Sequence, residues 1–134
     1  MSKMILDASA ILAYLFDESG AEVVTPVLEN GQGVMSSVNY AEVVSKLTDH
    51  HMPAEAIHAA LDDLDVEVIP FDTQQAFITG ELRTDSKPLG LSLGDRACLA
   101  LASVLQLPVL TADHHWTLMP GTLDVRVIRE KKRG

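Results

Sequence analysis

The chain is short of cysteine, of positive charge and of long apolar runs, and each shortage removes a class of protein. One cysteine, Cys98, stands in 134 residues. It cannot form an internal disulfide, and no cysteine accompanies the five histidines at zinc-finger spacing. Cys98 sits in an apolar stretch and is most simply a small core residue. Apolar residues make up 47% of the chain, yet no window approaches the roughly 20 apolar residues of a membrane span. The first residues, MSKMILDAS, turn acidic at once, so a secretory leader is not expected. No Gly/Ser linker, second composition regime or internal repeat is present, which predicts one domain over residues 1–134. A chain of this length buries about two-thirds of its unfolded surface. A cytoplasmic protein with no membrane partner fits all of this.

The shortage of basic residues argues against a nucleic-acid binder, because the net charge is −9. The charge is unevenly distributed, however, which weakens that exclusion. Residues 126–134 carry five basic groups and one acid, a net +4, and residues 1–125 carry −13. The body is acidic and the C-terminal tail is basic. The plain reading of the tail is a frayed, solvated terminus.

The stretch from Ser92 to Asp113, SLGDRACLALASVLQLPVLTAD, organises the rest. Leu93 to Leu107 is rich in Ala and Leu and predicts a largely buried helix. Pro108 ends it, and Val109 to Thr111 is a short β-branched strand. Before it, the spacing predicts a strand at Lys3 to Asp7, then helices at Ala8 to Phe16 and about Gly20 to Asn30. A strand at Val34 to Ser36 is followed by a helix to about His50, capped by Ser36 or Ser37. Pro53 opens a helix to about Leu64, Val66 to Ile69 is a strand, and Asp72 caps a helix through about Thr84. Asp85 to Leu91 is expected as a loop. Trp116 lies in a short turn, and Val125 to Ile128 is a last edge strand. Strands alternating with helices predict a three-layer α/β/α sandwich with a mostly parallel central sheet.

In such a sheet the end of each strand and the start of the next helix share one edge, where open α/β folds keep their ligands. Asp7 closes the first strand. Glu42 lies in the second turn of a helix, Asp95 in the first turn of the long helix, and Asp113 just past a strand. Topology alone brings the four to one edge. Each also has a plain reading: Asp7 as a turn former, Glu42 as a solvated helix residue. Asp95 completes a capping box with Ser92, and Asp113 caps the turn of His114 and His115. Independent plain readings would scatter the four; their coincidence points to a cation. All-oxygen ligands of this kind suit Mg²⁺ or Mn²⁺ and not Zn²⁺.

With these residues in place, the chain resembles the PIN-domain ribonucleases, and within them the VapC-type toxins of toxin–antitoxin pairs. The matching segments are ILDASAILAYL, SSVNYAEVVSKL, LSLGDRACLALA and PVLTADHHW, in that order. The resemblance implies a PIN-like fold and a Mg²⁺- or Mn²⁺-dependent endoribonuclease with catalytic acids Asp7, Glu42, Asp95 and Asp113. Direct metal ligands are expected at Asp7, Asp95 and Asp113. Glu42 is expected as a ligand through water or a general base. Supporting polar residues fall at Ser9, Asn39 and Thr111. The implied partners are an RNA substrate, a cognate antitoxin and a second copy of the chain in a homodimer. His114, His115 and Arg96 are candidate substrate contacts, although a surface ion pair is the simpler role for Arg96.

Other readings compete. Haloacid-dehalogenase-type phosphatases also place an aspartate after the first strand, but they carry a second one two residues on, where Ser9 stands. A receiver domain needs a lysine near a strand end, and none is apparent. A non-catalytic PIN-like interaction module is the third alternative, and the intact acids speak against it.

Overall fold

The computed structural model describes residues 2–131; the last three residues of the predicted basic tail lie outside them. Five strands form one sheet in the order β3-β2-β1-β4-β5, and every pairing is parallel. They are β1 (Met4–Leu6), β2 (Gly33–Ser36), β3 (Glu67–Ile69), β4 (Val109–Thr111) and β5 (Val125–Val127). Each inner strand alternates between two cores. Met4, Leu6, Met35 and Leu110 face one, while Ile5, Val34 and Val109 face the other. A sheet covered on both faces needs apolar residues at successive positions, which is why these strands are continuous apolar runs.

The first core is closed by α1 (Ala8–Leu15), α2 (Ala21–Glu29), α3 (Ser37–Asp49) and α4 (Ala54–Asp62). The second face carries α5 (Thr73–Glu81), α6 (Arg83–Ser86) and α7 (Leu93–Leu105). These layers are the expected α/β/α sandwich. In α7, every residue from Ala97 to Ala102 is buried, so this helix is enclosed nearly all round, as its Ala/Leu composition predicts. Cys98 is among them and is fully buried. Among the described residues no helix is long and apolar enough to cross a membrane.

Three expectations are corrected. The helix begun at Asp72 does not run to Thr84; it ends at Glu81 and a separate short helix follows. The loop of residues 85–91 contains a 3-10 turn, Lys87–Leu89, closed by Gly90 at φ 71°, a left-handed conformation that glycine adopts without cost. The basic segment is not frayed where it is described. Residues 125–127 pair with β4, and Ile128 donates from its N–H to the Thr111 carbonyl at 2.9 Å.

A candidate acidic site at the carboxyl edge

Chain order runs outward from β1 to β2 and β3, then returns to the other side of β1 for β4 and β5. The switch point therefore lies between the carboxyl ends of β1 and β4, where ligands of open parallel sheets bind. Asp7 follows β1 and Asp113 follows β4, so the crevice opens between them.

Asp7 is buried and serves as the N-cap of α1. Its Oδ1 accepts from the Ser9 hydroxyl at 2.7 Å and the Ala10 N–H at 2.8 Å, and its Oδ2 accepts from the Thr111 hydroxyl at 2.7 Å. Both hydroxyls are fixed from behind. Ser9 Oγ accepts from the Ala112 N–H at 2.9 Å, and Thr111 Oγ1 accepts from the Asp113 N–H at 3.1 Å. This lattice ties the loop after β4 to the first turn of α1. Burial pushes the Asp7 carboxyl up to about 6, against three donors that favour its charged form; the Asp95 charge adds to the rise.

On the other side of the crevice, α3 and α7 meet beyond the strand ends. Asn39 is buried and its Nδ2 donates to Glu42 Oε1 at 2.7 Å and to the Gly94 carbonyl at 3.1 Å. One amide thus orients Glu42 and anchors it to the first turn of α7. A β-carbon at position 94 would collide with the Glu42 carboxylate, so glycine there lets Glu42 keep this place. Asp95 completes the capping box: its Oδ2 accepts from the Ser92 N–H at 2.8 Å, and its own N–H donates to Ser92 Oγ at 3.2 Å. Burial, and then neighbouring charge, raises both acids. Glu42 feels Asp95, and Asp95 feels Asp113. The Cys98 thiol beneath them is held well above its usual value by burial first and by Asp7, Asp95 and Glu42 next.

Asp113 caps the 3-10 turn His114–Leu118, its Oδ1 accepting from the His115 N–H at 2.9 Å and lying 3.0 Å from His115 Nδ1. The capping readings of Asp95 and Asp113 are therefore realised, and Asp7, read from the sequence as a turn former, also caps a helix. They do not compete with a site. Capping occupies one oxygen of each carboxylate, and among the described residues Asp95 Oδ1 and Asp113 Oδ2 receive no hydrogen bond. The caps hold each acid at the start of a helix, where the backbone dipole tolerates negative charge.

The expected convergence is looser than a closed ligand set. Among the described residues no three His, Cys, Asp or Glu side chains stand close enough to hold a metal ion by themselves. The reason is local, since Asp95 and Asp113 are drawn back onto their own helix starts. The donor chemistry nonetheless fits a hard divalent cation. Every candidate ligand atom is an oxygen, and among the described residues no lysine or arginine pairs with any of the four acids. Mg²⁺ keeps several waters and needs only one or two carboxylates, so a complete protein cage is not required.

Arg96 departs from expectation. It forms no ion pair among the described residues; its Nη1 donates to the Thr79 carbonyl in the last turn of α5 at 3.0 Å. Sequence reasoning also passed over Gly94, whose signal was a glycine inside a helix, where it costs about 0.5–1 kcal/mol relative to alanine. A hollow of about 530 Å³ lined by Met4, Val23, Pro108 and Arg126 lies toward the opposite edge and holds no buried acid.

A parallel sheet with paired acids at helix starts around its switch point defines a class of α/β domain with an acidic crevice. The PIN domain family model matches residues 4–121, and the chain belongs to that family. It is 34% identical over 115 residues to a VapC ribonuclease of Mycobacterium bovis and to Ribonuclease VapC42 of Mycobacterium tuberculosis. The match spans 80% of this chain and 88% of each relative. Among solved structures, a toxin–antitoxin complex from Klebsiella pneumoniae is similar with TM-score 0.69 and 21% identity, over 96% of this chain and all of that one. VapBC2 from Rickettsia felis, bound to a promoter DNA fragment, is similar with TM-score 0.71 and 20% identity, over 92% and 96%. The family match sets aside the phosphatase and receiver readings.

Proposed function

We propose that this protein is a Mg²⁺- or Mn²⁺-dependent endoribonuclease and the toxin of a type II toxin–antitoxin pair, acting in the cytoplasm. The observation that carries the reading is the buried Asp7 carboxylate at the sheet's switch point, pressed by Asp95 and, among the described residues, paired with no lysine or arginine. The identity to VapC ribonucleases supports it.

Asp7, Asp95 and Asp113 would hold the cation. When bound, a divalent ion offsets carboxylate charge and polarises a phosphoryl oxygen for hydrolysis. The chain's own contribution is positioning and proton transfer. Ser9 and Thr111 fix Asp7 by pointing both hydroxyl protons at it. Glu42, held by Asn39 and with its proton affinity raised by burial, accepts the proton of the water that adds to phosphorus. The bond from phosphorus to the leaving ribose oxygen then breaks, and that oxygen takes a proton from solvent water to leave as a hydroxyl.

A cognate antitoxin would neutralise the site, and an arginine from it would pair with the carboxylates in place of the cation. A homodimer is the expected assembly; Phe77 on α5 and Leu93 on α7 stand exposed as apolar surface it would cover. The test is cleavage of a mixed-sequence RNA by the purified chain. Cleavage with Mg²⁺ or Mn²⁺, its loss in EDTA and its loss in Asp7→Asn are expected. Full activity in folded Asp7→Asn contradicts the assignment, and no cleavage by wild type under any metal leaves a non-catalytic interaction module.

A further inference from the structure

The parallel register of β4 and β5 sets Val127 opposite Thr111, so both strands leave the sheet side by side at the acidic edge. Beyond β4 the chain runs on through Asp113, His114 and His115. Beyond β5 it runs on through Arg129, Glu130 and Lys131. The two segments touch, with His114 Nε2 2.8 Å from the Arg129 carbonyl oxygen. Between them lies a hollow of about 230 Å³, lined by residues 112–115 and 129–131. Asp113, one of the four acids at the carboxyl edge, forms part of its wall.

We propose that this hollow is a phosphate-binding lip, in which Arg129 and Lys131 hold an RNA backbone phosphate next to the one that is cut. The inference rests on the ribonuclease reading above. An acidic body of net charge −13 repels a polyanion, and the site needs fixed positive charge on the path by which RNA enters. Five of the ten basic residues lie in the last nine positions, and β5 carries two of them to this edge. Arg96, the cation next in sequence to Asp95, is turned onto the Thr79 carbonyl instead. The Arg129 guanidinium is fixed through Nη1 alone, which donates to the Ser19 carbonyl at 3.2 Å and lies 3.7 Å from Glu18; among the described residues its Nη2 and Nε make no hydrogen bond. Lys131 is exposed and forms no ion pair among the described residues. Two acids also line the hollow, Asp113, whose Oδ1 lies 3.0 Å from His115 Nδ1, and Glu130. Binding an acidic protein segment at the lip is the competing use; Asp113 in its wall, one of the acids that would hold the metal at the scissile phosphate, favours RNA.

The test measures binding of a labelled, mixed-sequence single-stranded RNA to the full chain carrying Asp7→Asn, in EDTA, across a salt series. Losing one single-strand phosphate contact lowers the slope of log K against log [salt] by about 0.7 and weakens binding about fivefold to tenfold at about 50 mM salt. Lys131→Gln and Arg129→Gln are each expected to show this, and Lys131→Arg to restore the lysine's share. Lys46→Gln removes the same charge from the far end of α3 and is expected to change neither quantity. If both lip variants bind RNA with wild-type affinity and slope, or match Lys46→Gln, the lip is overturned. That includes the case in which they weaken only an acidic protein partner. Cleavage by the otherwise wild-type chain reads the ribonuclease function separately, so the lip can fall while that function stands.

Discussion

The Glu42 carboxylate rests against the α-carbon of Gly94, in the space a β-carbon would fill. Two helices from opposite faces of the sheet meet at that contact, and it sets how far the Glu42 acid stands from Asp95. Gly94→Ala should therefore push Glu42 aside while leaving α7 formed, since alanine favours a helix by about 0.5–1 kcal/mol. A displacement of about 1 Å can cost about a hundredfold in rate. We expect RNA cleavage to fall by that order with a melting curve close to wild type; unchanged cleavage would show that Glu42 needs no fixed place.

Asn39 is the second half of the same device. Asn39→Ala removes a hydrogen bond to a carboxylate and one to a buried carbonyl, and a loss of about 1–3 kcal/mol is expected. Asn39→Asp places a second negative charge on Glu42 and should be at least as damaging to activity. Denaturant unfolding of both variants, together with cleavage rates, checks the pair. A silent Asn39→Ala would remove the link between α3 and α7 from the account.

The raised acids set a pH dependence whose sign is fixed. The Asp7 pKa lies near 6 in the folded chain against 3.8 unfolded, so the folded state binds the proton more tightly. Its charge is a liability of about 3 kcal/mol above pH 6, and the liability fades as pH falls from about 6 toward 4. Glu42 and Asp95 are raised too and act in the same direction. In EDTA, the metal-free protein should melt higher at pH 5 than at pH 8, and Asp7→Asn should flatten that difference. A melting temperature that falls on going from pH 8 to pH 5 contradicts it.

Metal should reverse the liability. At a hundredfold excess over Kd, Mg²⁺ adds about 2.7 kcal/mol, or roughly 8–10 °C for a chain of this size. Asn caps a helix about as well as Asp, so Asp113→Asn keeps the cap on the 3-10 turn while removing the charge. Its melting temperature in EDTA should equal or exceed wild type, and its gain with Mg²⁺ should shrink. A full Mg²⁺ response in that variant would leave Asp113 as a cap alone.

Local signals carried most of the fold. Pro108 before Val109 to Thr111, the Ser92–Asp95 box and the aspartate closing β1 are each visible within a few residues, and all stand where those signals put them. The features that stayed hidden depend on partners far along the chain. Arg96 finds the Thr79 carbonyl because α5 packs on α7, and nothing beside Arg96 announces that helix. Gly94 matters only because α3 crosses it. The strand at Val125 to Ile128 was legible, but that its continuation through Arg129 to Lys131 walls a hollow beside Asp113 depends on pairing with β4. The acids were placed at the right edge by topology, but how closely they gather was set by the caps that hold them apart.

The central claim is that Asp7, Glu42, Asp95 and Asp113 form one hydrolytic site, and non-additivity tests it most directly. Groups that act as a unit lose nearly everything when one is removed, so a second loss adds little. The measurement is the single-turnover cleavage rate, in Mg²⁺, of Asp7→Asn, Asp113→Asn and the double variant. Each single variant is expected to lose most activity, and the double to fall little below the worse single. Rate losses that multiply, or a single variant that cleaves like wild type, would show that the acids do not share one site.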